Sequence, residues 1–155
     1  MPQISKGGKF IFGWSVIRED YSIQIPSQAI QEYDICSERK VYLISGSKTT
    51  GGFNLSKRTL LEKSIFENVF KEYPDFQSYK TEEGTIFHYK ARAYSWLNIT
   101  ERGKIYLNEE ILHDLSLKIN DKLLVIRSSD IAFTLGLKGP VIEAANNYEG
   151  HIDIY

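Results

Sequence analysis

A chain of 155 residues with 42% hydrophobic content is long enough to bury one core of ordinary size, and one or two small domains fit within it. Nineteen basic residues against 20 acidic ones leave a net charge of -1, which excludes a globally basic nucleic-acid binder; any such contact needs a local patch or charges gathered by assembly. The single cysteine, Cys36, excludes an internal disulfide framework and a cysteine-rich zinc site, agrees with a reducing compartment, and reads as a structural or surface thiol because no histidine lies near it in sequence. The N-terminus lacks the apolar core of a signal peptide, and no later run approaches the roughly 18 apolar residues of a spanning helix. The expectation is a soluble cytoplasmic protein without a membrane partner.

Residues 1–9 are polar and glycine-containing and are expected to form a flexible arm. Phe10 to Ile17 is aromatic and β-branched and predicts a strand; Arg18 to Tyr21 is a polar turn; Ser22-Ile-Gln-Ile then alternates as a half-buried strand does. Pro26 ends that strand, and Ser27 suits the cap of a short helix carrying Ala29, Ile30 and Tyr33 on one face. After a polar connection come a strand from Val41 to Ser45, a glycine-rich turn from Gly46 to Gly52, and Phe53-Asn-Leu55, so residues 10–55 read β-β-α-β-β. From Ser56 to Tyr73 the residues Leu60, Leu61, Ile65, Val69 and Phe70 lie near a 3.6-residue period and predict one amphipathic helix, capped by Ser56 or Thr59 and stopped at Pro74. Asp75 to Gly84 is a polar linker, making 56–84 a spacer.

Thr85 to Ile99 is again strand-like, with Lys90 and Arg92 two residues apart and so on one strand face. A turn from Thr100 to Gly103, a strand from Lys104 to Leu107, a helix from Glu109 to Leu115 capped by Asn108, a strand from Lys122 to Arg127 and a last strand from Ile131 to Leu135 complete a second β-β-α-β-β run over 85–137. Residues 138–155 form a tail with a short helix from Val141 to Asn146.

Ser22–Ser45 of the first run aligns with Lys104–Arg127 of the second without a gap. Ile23, Ile25, Ile30, Ile35, Val41, Leu43 and Ile44 fall on Ile105, Leu107, Leu112, Leu117, Leu123, Val125 and Ile126, and Lys40 falls on Lys122, each 82 positions on. Trp14 and Trp96 correspond at the same offset and are read as matched core or interface anchors. Gly103 stands where the first run has Tyr21, which predicts two hairpin turns of different backbone shape.

The stretch from Thr100 through Lys104-Ile-Tyr-Leu-Asn108 to Asn120-Asp-Lys-Leu-Leu-Val125 resembles the AbrB/SpoVT (MazE-type) family of swapped-hairpin domains. That family's pattern is a Gly-Arg turn, a short strand ending in Ile-Pro, a helix ending in Leu-Gly-Ile, then Gly-Asp and a strand. Here Gly103-Lys104 replaces Gly-Arg, Asn108 replaces the proline and Asn120-Asp121 replaces Gly-Asp; the first run keeps Ile25-Pro26 and loses the turn glycine. The resemblance covers about two thirds of the chain. It implies a mainly β, α+β fold in which two β-β-α-β-β halves exchange hairpins to form a small double-split barrel, within one chain or, as the rival arrangement, across a homodimer. It also implies sequence-specific DNA binding in transcription regulation, by basic residues on the N-terminal hairpins: Arg18 in the first turn and Arg102 and Lys104 in the second, with Lys90 and Arg92 extending the surface. Glu19, Asp20 and Glu101 share those turns and oppose a phosphate backbone. The alternative is a non-enzymatic interaction or assembly module on the same fold, using the helix from Ser56 to Tyr73 and exposed aromatics.

Enzyme chemistry has no positive support in the sequence, and neither a cofactor nor a metal is expected. His88, His113 and His151 lie in three different elements without ligand spacing. Gly46-Ser-Lys-Thr-Thr-Gly-Gly52 has the composition of an anion nest but neither the order of a P-loop nor a following helix, and is read as a hairpin loop.

Overall fold

The alternating and β-branched stretches of this chain form strands, and its short polar-flanked apolar stretches form helices, in the computed structural model, which describes residues 10–62, 64 and 66–155. The expected arm at 1–9 and the helix position Ile65 lie outside the described residues. In chain order the elements are β1 (Ile11–Val16), β2 (Ser22–Gln24), α1 (Ser27–Tyr33), β3 (Lys40–Ser45), β4 (Phe53–Ser56), α2 (Arg58–Leu61), α3 (Glu67–Glu72), α4 (Pro74–Gln77), β5 (Phe87–Tyr89), β6 (Arg92–Asn98), β7 (Lys104–Tyr106), α5 (Glu109–Asp114), β8 (Lys122–Arg127), β9 (Phe133–Gly136) and α6 (Pro140–Asn146). The fold is mainly β with short helices, an α+β arrangement.

Seven strands form one antiparallel sheet in the order β1-β8-β9-β4-β3-β6-β5, and β2 pairs with β7 in a separate ribbon. The larger sheet has two ends, β1 and β5, so this pairing does not close the barrel implied by the family resemblance. Its registers carry a numerical coincidence. Trp14 faces Leu124 and Ser15 faces Leu123 in β1–β8; Trp96 faces Tyr42 and Leu97 faces Val41 in β6–β3. Adding 82 to the β1 residues and subtracting 82 from the β8 residues turns the first pairing into the second. In the ribbon Ile23 faces Ile105, and in the middle of the sheet Asn54 faces Thr134.

The two hairpin turns also match, against expectation. Tyr21 N donates to Arg18 O and Arg18 N to Ser22 O, as Gly103 N does to Thr100 O and Thr100 N to Lys104 O. Tyr21 (φ 68°) and Gly103 (φ 84°) both hold the left-handed conformation. The turns share their backbone, and a tyrosine occupies a position that favours glycine.

Between ribbon and sheet lies the main core. Ile23, Ile25, Ile105 and Leu107 pack on the inward residues Val41, Leu43, Phe53, Leu55, Leu97, Leu123, Val125, Phe133 and Leu135, with α1 and α5 adding Ala29, Tyr33, Ile111 and Leu112. The sheet's other face bears two separate clusters. Tyr42, Ile44, Tyr94 and Trp96 are covered by Leu61, Val69, Phe70 and Phe76, and Ile11, Trp14, Leu124 and Ile126 by Ile142, Ala145 and Ile152. The two tryptophans are thus anchors of the outer face, one under the spacer and one under the C-terminal segment.

Four local expectations are corrected. The single helix from Ser56 to Tyr73 is two short ones, α2 and α3. Ser64 Oγ donates to Leu61 O at 2.7 Å and accepts from Phe66 N at 3.1 Å, so its side chain takes hydrogen bonds that a continuing helix would make through the backbone. Pro74 does not merely stop a helix but stands at the first position of α4, which buries Phe76 inside the supposed linker. The strand expected from Thr85 to Ile99 is a hairpin of β5 and β6. Neither Ser27, Ser56 nor Thr59 caps a helix, since Pro26 precedes α1 and Lys57 precedes α2; Asn108 does cap α5, accepting from Ile111 N at 2.8 Å. The tail finds a place as well: Trp14 N donates to Asp153 O and Tyr155 N to Trp14 O, laying the last residues along the free edge of β1.

Candidate nucleic-acid interface

The ribbon fixes which of its side chains meet solvent. Ile23 and Ile105 are fully buried toward the core, so the alternation of a strand turns Gln24, Lys104 and Tyr106 away from it. Gln24 and Lys104 are half-buried, Tyr106 is 47% exposed, and Ser22, opposite Tyr106, is buried. Because β2 and β7 run antiparallel and each is entered from its hairpin turn, the two turns leave opposite ends of the ribbon.

Arg18 is exposed at one of those ends beside Glu19 and Asp20. Hydrogen bonding from Ser22, whose N–H donates to Asp20 Oδ1 at 3.0 Å, holds the Asp20 carboxyl below the usual carboxylate range, and Lys104 adds a smaller coulombic pull. At the other end Arg102 is exposed, and its carbonyl accepts from Gln24 Nε2 at 2.7 Å. Glu101, expected to oppose phosphate there, sits 3.2 Å from Arg39, so its charge is answered locally. Tyr21 reaches across from the first turn to donate to Glu109 Oε1 at 3.1 Å, and that bond raises its phenol above the ordinary value.

Lys90 and Arg92 lie elsewhere. Lys90 is not on a strand face but in the β5–β6 turn, with φ 48° there and 66° at Ala91, and its Nζ sits 5.3 Å from the centre of the Tyr89 ring. Arg92, at the start of β6, donates from Nη1 to Ser45 O at 2.9 Å. The length of β6 separates this pair from the turn at 100–103, roughly 20 Å at about 3.3 Å per residue. Of the five cationic candidates, Arg102 and Lys104 are brought together, Arg18 marks the ribbon's other end, and Lys90 and Arg92 form a third location.

Two outward residues of the ribbon, Gln24 and Tyr106, were not singled out in the sequence, although the alternation Ser22-Ile-Gln-Ile carries the signal for the first. The polar pair Asn54 and Thr134, on the sheet's outer face, carried none, since only the register places them opposite each other.

Two of the three histidines stand beside a carboxylate. His88 Nε2 lies 3.0 Å from Asp114 Oδ1 and His151 Nε2 lies 2.7 Å from Asp153 Oδ1; among the described residues no group of three or more His, Cys, Asp and Glu side chains is placed to hold a metal ion. Cys36 is half-buried, and burial pushes its thiol pKa up. The loop at 46–52 joins β3 to β4, and no helix starts from it. No helix among the described residues is long and apolar enough to cross a membrane. No protein-family model matches the chain, and no curated protein matches it.

Proposed function

We propose that this protein is a sequence-specific DNA-binding transcription regulator of the AbrB/SpoVT type, built from two diverged copies of a β-β-α-β-β unit that exchange hairpins within one chain. The coincident registers support the duplication. They fit runs related by a twofold axis through the Ile23–Ile105 pair, 82 positions apart, and the Asn54–Thr134 pair, where a two-residue shorter connection brings the offset to 80, and each run's first strand pairs with the other run's third. The barrel of the family would then be present in open form, a seven-stranded sheet faced by the ribbon.

The observation that carries the DNA reading is the ribbon itself. A two-stranded antiparallel ribbon fits the major groove, and this one turns Gln24, Lys104 and Tyr106 outward, with Arg18 at one end and Arg102 at the other. Gln and Lys suit base edges, and the turn arginines suit the flanking phosphates. Lys90 and Arg92 are left out of this interface by their distance from it. A titration of the full chain against genomic fragments tests the reading. Arg102→Ala with Lys104→Ala is expected to weaken binding at least tenfold, and Lys90→Ala to leave it unchanged; loss on Lys90→Ala alone would contradict the ribbon assignment.

A non-enzymatic interaction module is the second reading. Its original basis, a free amphipathic helix over 56–73, is weakened because Leu61, Val69 and Phe70 are spent on the sheet. What favours it is an apolar groove of about 350 Å³ bordered by Tyr73, Pro74, Phe76 and Phe87, with Tyr73 38% exposed.

A further inference from the structure

We propose that the outer face of the seven-stranded sheet holds a binding site for a compact, hydroxyl-bearing phosphate monoester, centred on Arg92, Asn54 and Thr134. This goes beyond the DNA reading and gives Arg92 a different ligand. The spacer helices and the C-terminal segment cover the two flanks of that face with apolar side chains. Between them a cleft of about 270 Å³ remains, lined by Arg92, Asn54 and Thr134 together with Ser47 and Thr50 of the β3–β4 loop and floored by Ile126. The inward neighbours on the same strands, Phe53, Leu55, Phe133 and Leu135, are fully buried apolar residues. Polarity is therefore confined to the face that opens into the cleft.

The donors are oriented. Thr134 Oγ1 donates to Asn54 Oδ1 at 2.5 Å, which occupies the carbonyl oxygen and leaves the Asn54 amide N–H groups for a ligand. Arg92 commits Nη1 to Ser45 O at 2.9 Å, which fixes the guanidinium and leaves its other N–H groups available. No carboxylate lines the cleft, and no ion pair among the described residues includes Arg92, so its charge there is uncompensated. A planar guanidinium beside neutral donors suits an oxyanion, while the hydroxyls of Ser47 and Thr50, 3.2 Å apart at the rim, suit the hydroxyls of the esterified alcohol. The volume lies just below the roughly 300–1,000 Å³ typical of small-molecule sites, which favours a sugar- or glycerol-sized ester over a nucleotide.

The test is an NMR titration of the full chain with glycerol 3-phosphate, inorganic phosphate and glycerol, following the Asn54 side-chain amide and Arg92 Nε. Saturable shifts with glycerol 3-phosphate are expected at lower concentration than with inorganic phosphate, and none with glycerol. Arg92→Gln and, separately, Asn54→Ala are expected to raise the midpoint at least tenfold, and Arg102→Gln to leave it unchanged. If Arg92→Gln loses spectral dispersion, Asn54→Ala decides. Absence of saturable shifts, equal midpoints for the ester and inorganic phosphate, or an unchanged midpoint in the cleft variants would overturn the proposal.

Discussion

Gly103 is the residue on which the second hairpin turns. Its φ of 84° lies in the left-handed region, and a Cβ there would run into Cδ1 of Ile30 on α1. Gly103→Ala therefore combines backbone strain with overpacking, and is expected to lower unfolding free energy by about 2–4 kcal/mol in urea titration. Tyr21 meets the same backbone demand with its ring partly exposed and its hydroxyl on Glu109. The sequence comparison could align these two positions but not foresee their shared conformation, because a tyrosine carries no left-handed signal. Buried phenols supply a second prediction. Tyr33 donates to Ser129 O at 2.5 Å, and burial pushes its pKa up to about 12; burial also raises Tyr42, Tyr79 and Tyr94. The folded state holds these phenols neutral after the unfolded chain, with ordinary values near 10, has begun to ionise. Stability is thus full below pH 10 and falls as the pH rises toward 12. In an alkaline titration followed by phenolate absorbance, part of the tyrosine signal is expected to appear only together with unfolding; a single early transition for all ten tyrosines would contradict these placements.

At the scale of elements, the two flanks of the outer face are covered by unrelated devices. Phe76 of α4 is 2% exposed and packs edge-on to Phe87 with ring centres 4.8 Å apart. Phe76→Ala is expected to cost about 3–5 kcal/mol, and its effect should add independently to that of Ile142→Ala on the buried side of α6, since the two lie in separate clusters; strong coupling in a double-mutant cycle would contradict two independent caps. The spacing of Leu60, Leu61, Val69 and Phe70 revealed in the sequence that this segment has a buried side. It did not reveal the break at Ser64, which depends on a side-chain choice between local hydrogen bonds. The β5–β6 hairpin was hidden for a related reason. Two-residue turns with positive φ at both central positions favour Asn-Gly, and here Lys90-Ala91 adopts them under the pull of the strands on either side. The strand-helix-strand skeleton, by contrast, was legible because apolar spacing and the Asn108 cap are local signals.

For the whole molecule, the proposed duplication would change what assembly is needed. If the hairpins exchange within one chain, no partner is required to complete the core, and light scattering is expected to give the monomer mass of 17.9 kDa; a stable mass of twice that value would favour exchange between chains. The proposed DNA interface was only partly legible in sequence. Basic residues could be picked out, but which of them share a surface is set by the antiparallel ribbon and by the length of β6, both long-range features. The direct test of the central claim is the salt dependence of binding to genomic DNA fragments. With Arg18 and Arg102 on phosphates and Lys104 at a base edge, binding is expected at low salt, with log K falling against log salt at a slope of about -2. Absence of binding at low salt to every fragment, or binding indifferent to salt, would contradict it.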